Sequence, residues 1–174
     1  MKILFIGCGE IGSRHIQAAS QIVGRNEIFI VDPSDKSKAI CKERIDKTSG
    51  KNSETTYQWF DALDIKCVNS NICIISTNAP ERVRLLKEVH EFLNIKNYLI
   101  EKVVSNSLKK IIDLDNYSKK NKLNIWVNCK TRTYKIHKEI KANIINNNSI
   151  DSRINLKYIG GNVGLCTNAI HIID

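Results

Sequence analysis

Near the amino terminus, Gly7-Cys8-Gly9-Glu10-Ile11-Gly12 has the spacing G-x-G-x-x-G. Glycines in that pattern suit phosphate chemistry. The first permits a tight turn, the second lets the backbone approach a pyrophosphate, and the third lets a helix lie close to a strand. Free N–H groups where the helix opens, at Glu10 and Ile11, and the helix dipole favour a phosphate's negative charge. The competing reading is a chance glycine turn kept by the fold. Asp32 stands twenty residues after Gly12. A carboxylate there accepts hydrogen bonds from adenosine ribose hydroxyls and repels a 2′-phosphate, which favours NAD over NADP. Its alternative role is a capping or loop aspartate before Pro33, and Lys36 and Lys38 are near enough to soften the repulsion.

Further along, three sets of residues carry chemistry with a plainer role beside it. His15 follows Gly12 by three and is either a packing histidine or a ligand. Ser76-Thr77-Asn78 either lines a ligand crevice or caps the next helix, or does both. Glu101-Lys102 is either a surface pair of little energetic worth or points Lys102 toward that crevice.

These residues need elements to position them. Lys2 to Gly7 is an apolar run without alternation, which suits a strand buried on both faces of a parallel sheet. From Ile11 to Val23 the period becomes helical, with Ile11, His15, Ala18, Ala19, Ile22 and Val23 as the expected inner stripe. Glu27 to Asp32 is a second strand, completing a βαβ unit with a right-handed crossover. The glycine string thus sits in the context its chemistry requires. Ser34 to Asp46 reads as a helix capped by Ser34 or Asp35, and Lys47 to Thr56 as a polar loop. Tyr57 to Lys66 is ambiguous and is taken as a short helix with Trp59, Phe60 and Leu63 inward. Strands are expected at Asn71–Ser76, Asn97–Glu101 and Leu123–Asn128. Helices are expected at Ala79–Leu93, with Val83, Leu86, Val89 and Leu93 on one face, and at Ser107–Asn121. The sum is an α/β fold, an open, doubly wound parallel Rossmann sheet. Beyond it, Tyr134 to Ile145 is helix-like, Asn146 to Ser149 reads as a break, and Arg153 to Ile159 alternates like a half-buried strand. The final Asn168 to Asp174 looks like the start of a helix, so the chain is expected to be cut short.

Composition narrows the classes. With 174 residues, 42% of them hydrophobic and 26% charged, the chain has the make-up of an ordinary globular protein of one domain and part of a second. No apolar run approaches the ~20 residues of a membrane span, and no signal-peptide pattern opens the chain. The net charge of +9 is concentrated between Lys102 and Lys141, where eleven basic residues face three acids. No nucleic-acid reading motif accompanies it, so no nucleic acid and no membrane partner is expected. The six cysteines lack zinc spacing, so no metal is expected. They read as reduced thiols in a cytoplasmic protein.

The sequence resembles the Gfo/Idh/MocA family, the glucose–fructose oxidoreductase and inositol dehydrogenase type. The resemblance rests on G-C-G-E-I-G-S-R-H at 7 to 15, S-T-N at 76 to 78 and E-K-V at 101 to 103. It continues with V-N-C-K-T-R at 127 to 132 and N-A-I-H-I-I-D at 168 to 174. It implies a dinucleotide-binding Rossmann domain over 1–129 and the partial start of an incomplete α+β substrate domain over 130–174. Gly7, Gly9, Glu10, Ile11, Gly12, His15, Asp32, Ser76, Thr77, Asn78 and Glu101 would serve the cofactor. Lys102 and His171 match the family's catalytic lysine and histidine, and Asn128, Arg132 and Asn168 would meet substrate. Val103 replaces the family's proline. Thr167 and Ala169 replace its aspartate and glycine, so a carboxylate that assists proton transfer is missing.

The implied reaction is hydride transfer between a sugar or polyol carbon and NAD, with surface-polysaccharide sugars as a candidate branch. His171 would be the general base, and Lys102 would orient the hydroxyl. The alternative is an inactive nucleotide-binding fragment or regulatory remnant. A full-length form could be a homo-oligomer, since the outer face of the family's later sheet is its usual dimer surface.

Overall fold

Lys2–Ile6 forms β1, and its side chains fill two cores at once. Ile3 and Phe5 point to one face and Leu4 and Ile6 to the other, each at most 4% exposed. A strand apolar on both sides must lie inside a sheet covered on both sides, and β1 does. In the computed structural model, which describes residues 1–129 and 133–147, it pairs in parallel with β2 (Asn26–Val31) and with β4 (Ile72–Ile75). The other strands are β3 (Thr55–Phe60), β5 (Asn97–Glu101) and β6 (Asn124–Asn128). The six-stranded sheet has the order β3-β2-β1-β4-β5-β6, so the chain reverses its winding between β1 and β4. That switch point opens a crevice beyond the carboxyl ends of the strands.

Four helices cover the faces. Helices α1 (Glu10–Ala19) and α2 (Asp35–Asp46) bury Ile16, Ala19, Cys41 and Ile45 on one side. Helices α3 (Ala79–Leu93) and α4 (Leu108–Asn121) bury Val83, Leu86, Val89, Leu93 and Leu114 on the other. Ser34 caps α2 by accepting from the Ser37 N–H at 3.2 Å. The doubly wound α/β sheet expected from the sequence is therefore present.

Local expectations are corrected at three places. Tyr57–Lys66 is not a short helix: Thr55–Phe60 is a strand, and a single 3-10 turn follows at Ile65–Cys67. The run T-T-Y-Q-W-F is β-branched and aromatic. It pairs along β2 from Asn26–Thr55 to Val31–Phe60. The stripe proposed for α1 is largely out of phase. Ala19 is buried as expected, but Ile11 is 50% exposed, Ala18 is exposed and Val23, beyond the helix, is 92% exposed, whereas Gly12, Ser13 and Ile16 are buried. The phase is fixed by Gly12, which faces the sheet where a Cβ would lie 2.1 Å from the Gly7 carbonyl oxygen.

Residues Met1–Val127 form one compact unit, and a second begins at Asn128. Its helix α5 spans Lys135–Asn147, so Asn146 and Asn147 are helical rather than the start of a break. The strand expected at 153–159, the segment from Asn168 to Asp174, and Arg132, Asn168 and His171 lie outside the described residues.

Candidate functional site

The glycine turn leaves β1 at Gly7, whose φ of +89° is one that side-chain-bearing residues rarely adopt. Its N–H donates to the Val31 carbonyl at 2.9 Å, which keeps the turn against β2. Gly12 is glycine for packing: a Cβ there would lie 2.1 Å from the Gly7 carbonyl oxygen and 2.8 Å from Ser76 Oγ. Gly9 differs from both. Its φ is −61°, a value open to any residue, and nothing in the protein lies within 4 Å of a Cβ built on it. Neither backbone nor packing requires a glycine at Gly9. The bare Cα faces open space at the mouth of α1, whose first-turn N–H groups have no acceptor within the helix.

Beside this turn lies a cavity of about 680 Å³, whose wall includes Gly7, Gly9, Asp32, Ser76, Thr77 and Asn78. It sits at the switch point, and those six are residues expected at the cofactor. Asp32 is 8% exposed. Its Oδ2 accepts from the Cys8 N–H and its Oδ1 from the Ser34 N–H, both at 2.8 Å. Asp32 takes the loop role weighed for it, fastening the glycine turn to the start of α2, and a carboxylate so bound retains further lone pairs. Asn78 occupies the N-cap position of α3 but makes no side-chain capping bond. Ser76 Oγ donates to the Gly7 carbonyl at 3.2 Å. Thr77 Oγ1 is buried in the wall without a hydrogen-bond partner, a polar atom that a bound molecule would satisfy.

The other expected residues stand off this wall. Glu10 is exposed and its Oε2 accepts from Arg44 Nη2 at 2.6 Å, which holds its carboxyl below the usual range. Ile11 offers its backbone rather than its exposed side chain. His15 Nε2 lies 2.7 Å from Glu101 Oε1, bringing α1 to the end of β5. Lys102 is half-buried immediately after β5, and its peptide bond to Val103 is cis. Asn128 ends β6 and belongs to the second unit.

Sequence reasoning missed Arg82. It is 8% exposed in the first turns of α3. Its Nε donates to the Thr77 carbonyl at 2.8 Å, and its Nη1 donates to the carbonyls of Glu101, at 2.9 Å, and Val103. Burial pushes its guanidinium below the ordinary arginine value, but that group stays charged in any accessible pH range. One cation thus ties the Ser76–Asn78 turn to the corner at Glu101–Val103. The only sequence signal was a charged residue beside Val83 on the inner stripe. Asp61, also missed, lines the cavity because Thr55–Phe60 is a strand whose end lies beside Asp32.

No protein-family model and no curated protein matches the chain. Solved structures do match. The WlbA dehydrogenase of Chromobacterium violaceum, in complex with NADH and UDP-GlcNAcA, superposes with a TM-score of 0.68 at 16% identity, over 84% of this chain and 40% of its own. An oxidoreductase from Agrobacterium radiobacter, in complex with NAD+, L-tartaric acid and magnesium, gives 0.65 at 16% identity over the same shares. A Gfo/Idh/MocA family oxidoreductase from Vibrio cholerae gives 0.64 at 16% identity, over 84% of this chain and 44% of its own. The chain therefore spans about two-fifths of the length of the structures it matches. Its fold is the one that these oxidoreductase and dehydrogenase structures share with it over that part of their chains.

Proposed function

We propose that the chain binds NAD(H) at the glycine turn and serves a sugar or polyol dehydrogenase of the Gfo/Idh/MocA type. The observation that carries this reading is Gly9, a glycine that the protein needs for neither packing nor backbone yet holds beside a 680 Å³ cavity. The N–H groups opening α1 would hold the pyrophosphate, Asp32 the adenosine ribose, and Thr77 Oγ1 a further polar atom. Bound there, the nicotinamide supplies hydride acceptance or donation.

The chain's own residues would do the rest. Lys102, at the same sheet edge, would donate a hydrogen bond to the reacting hydroxyl and favour its developing negative charge. His171 would take the hydroxyl proton, as an imidazole titrating near neutrality can. Asn128, Arg132 and Asn168 would contact substrate. Support for a sugar substrate comes from neighbours such as WlbA, whose structure holds UDP-GlcNAcA. The five described cysteines are free and buried, which fits a cytoplasmic setting.

Turnover is the test. NADH formation should be followed by absorbance with a panel of sugars, polyols and sugar nucleotides. Lys102→Ala should lower kcat by about 100-fold, the range of one positioned catalytic group, with the NADH Kd within about two-fold of the parent. Full kcat in Lys102→Ala would remove Lys102 from the mechanism. NADH binding without turnover on any substrate would favour the nucleotide-binding module over the enzyme.

A further inference from the structure

The outer corner of the crevice holds a charge arrangement that the glycine turn and Asp32 do not explain. Asp32 immediately follows β2, and its N–H donates to the Phe60 carbonyl at 3.0 Å. Asp61, the next residue after Phe60, is thus its neighbour across the strands, and both line the cavity. Lys38, on the second turn of α2, reaches into this corner. Its Nζ lies 2.9 Å from Asp35 Oδ1 and also donates to Asp61 Oδ1. Only 12% of the Lys38 side chain is exposed, although its two carboxylate partners are largely in solvent. The stem is packed and the head is held between two anions, Asp61 first and Asp35 second, which raise its basicity above the ordinary lysine value. Lys42, one turn further along α2, is also committed, with its Nζ 5.0 Å from the centre of the Trp59 ring.

A 2′-phosphorylated ribose needs a cation near the end of β2 to offset its charge. Lys38 is the cation whose head lies in this corner, and two carboxylates already hold it. Two carboxylates hold one ammonium, and Asp32, bound to the Cys8 and Ser34 N–H groups, adds a further negative charge at the end of the strand, so acidic groups outnumber the cation here.

We propose that the Asp61–Lys38 pair is a cofactor-selectivity device: by keeping Lys38 from the 2′ position of the ribose, it reinforces Asp32 in rejecting the phosphorylated dinucleotide. This inference rests on the dinucleotide reading above. It assigns Asp61 and Lys38 a function in discrimination rather than in affinity for NADH. Because Asp35 and Asp61 are largely exposed, their pairing with Lys38 contributes little to folding, and removing it should leave the fold intact.

The test is a fluorescence titration of the full chain with NADH and NADPH, for the parent, Asp61→Asn, Lys38→Gln and the double variant. Asp61→Asn removes the charge that draws Lys38 toward the cavity wall, leaving Asp35 as its one anionic partner, and should tighten NADPH binding by about 5-fold, the upper range for an exposed charge pair. NADH affinity should change by less than about two-fold. In the double variant the NADPH gain should vanish, whereas Lys36→Gln on the Asp61→Asn background should keep it. An NADPH affinity unmoved by Asp61→Asn, or a gain that survives Lys38→Gln, overturns this inference while NADH binding still stands. A parent that binds neither cofactor overturns the dinucleotide reading and this inference with it.

Discussion

The glycine turn and the Glu101 corner reach the same sheet edge, but they are held there by different means. The turn is held mainly through its own backbone groups: Gly7 N–H on the Val31 carbonyl, Ser13 N–H on the Gly9 carbonyl, and Cys8 N–H on the Asp32 carboxylate. These partners come from the first 32 residues, and Ser76 Oγ on the Gly7 carbonyl is the distant addition. The corner is held by side chains that arrive from a distance. Arg82, 19 residues earlier, binds the Glu101 carbonyl, and His15, 86 residues earlier, meets the Glu101 carboxylate. A site element built from local backbone tolerates little change at the glycines that carry its turn and packing, Gly7 and Gly12. One built from converging side chains depends on the whole sheet being assembled first.

That contrast yields its largest effect at Gly12. A methyl group placed 2.1 Å from the Gly7 carbonyl forces strand and helix apart. Gly12→Ala should therefore cost about 3 kcal/mol of stability in urea unfolding, at the upper end of overpacking changes. Gly9→Ala should stay within about 0.5 kcal/mol of the parent, as a surface change does. Equal losses at the two positions would erase the distinction between a packing glycine and a ligand-facing one.

The corner should fail through its cation. Arg82→Ala withdraws a donor from three carbonyls in a buried setting, a loss of about 2–3 kcal/mol on the scale of buried polar groups. Arg82→Lys, which keeps the charge without the planar fork, should recover only part of it. A neutral Arg82→Ala would mean the turns at Thr77 and Glu101 are held without it.

Legibility from sequence followed the same divide. Strands β1 and β2, the glycine turn and Asp32 were all readable because their determinants are consecutive: K-I-L-F-I-G and E-I-F-I-V-D carry the burial pattern in themselves. The inner stripe of α3 was readable for the same reason. The phase of α1 was not, because apolar residues such as Ile11 and Val23 suggested one face while Gly12, which carries no hydrophobic signal, imposed another. Strand β3 was misread because W-F-D-A-L fits a short helix until β2 offers it an edge. Arg82 and Asp61 were invisible as site residues. Their placement depends on which strands lie side by side, and single-residue patterns do not state that.

A smaller effect sharpens the comparison at the contact between the two regions, where His15 on α1 meets Glu101 on β5. A double-mutant cycle with His15→Ala and Glu101→Gln should give a coupling of about 1 kcal/mol, as for contacting groups in one network. Additive losses would show that the glycine-turn helix and the corner are energetically independent despite their 2.7 Å contact.

If Gly9 is bare so that a dinucleotide can lie against it, a side chain there must block the ligand and spare the fold. An NADH titration of the parent and Gly9→Val, each paired with a urea unfolding curve, puts this to the test. The expected result is saturable NADH binding by the parent, abolished in Gly9→Val, with coincident unfolding midpoints. NADH affinity unchanged in a folded Gly9→Val, or no binding by the parent at all, would contradict it.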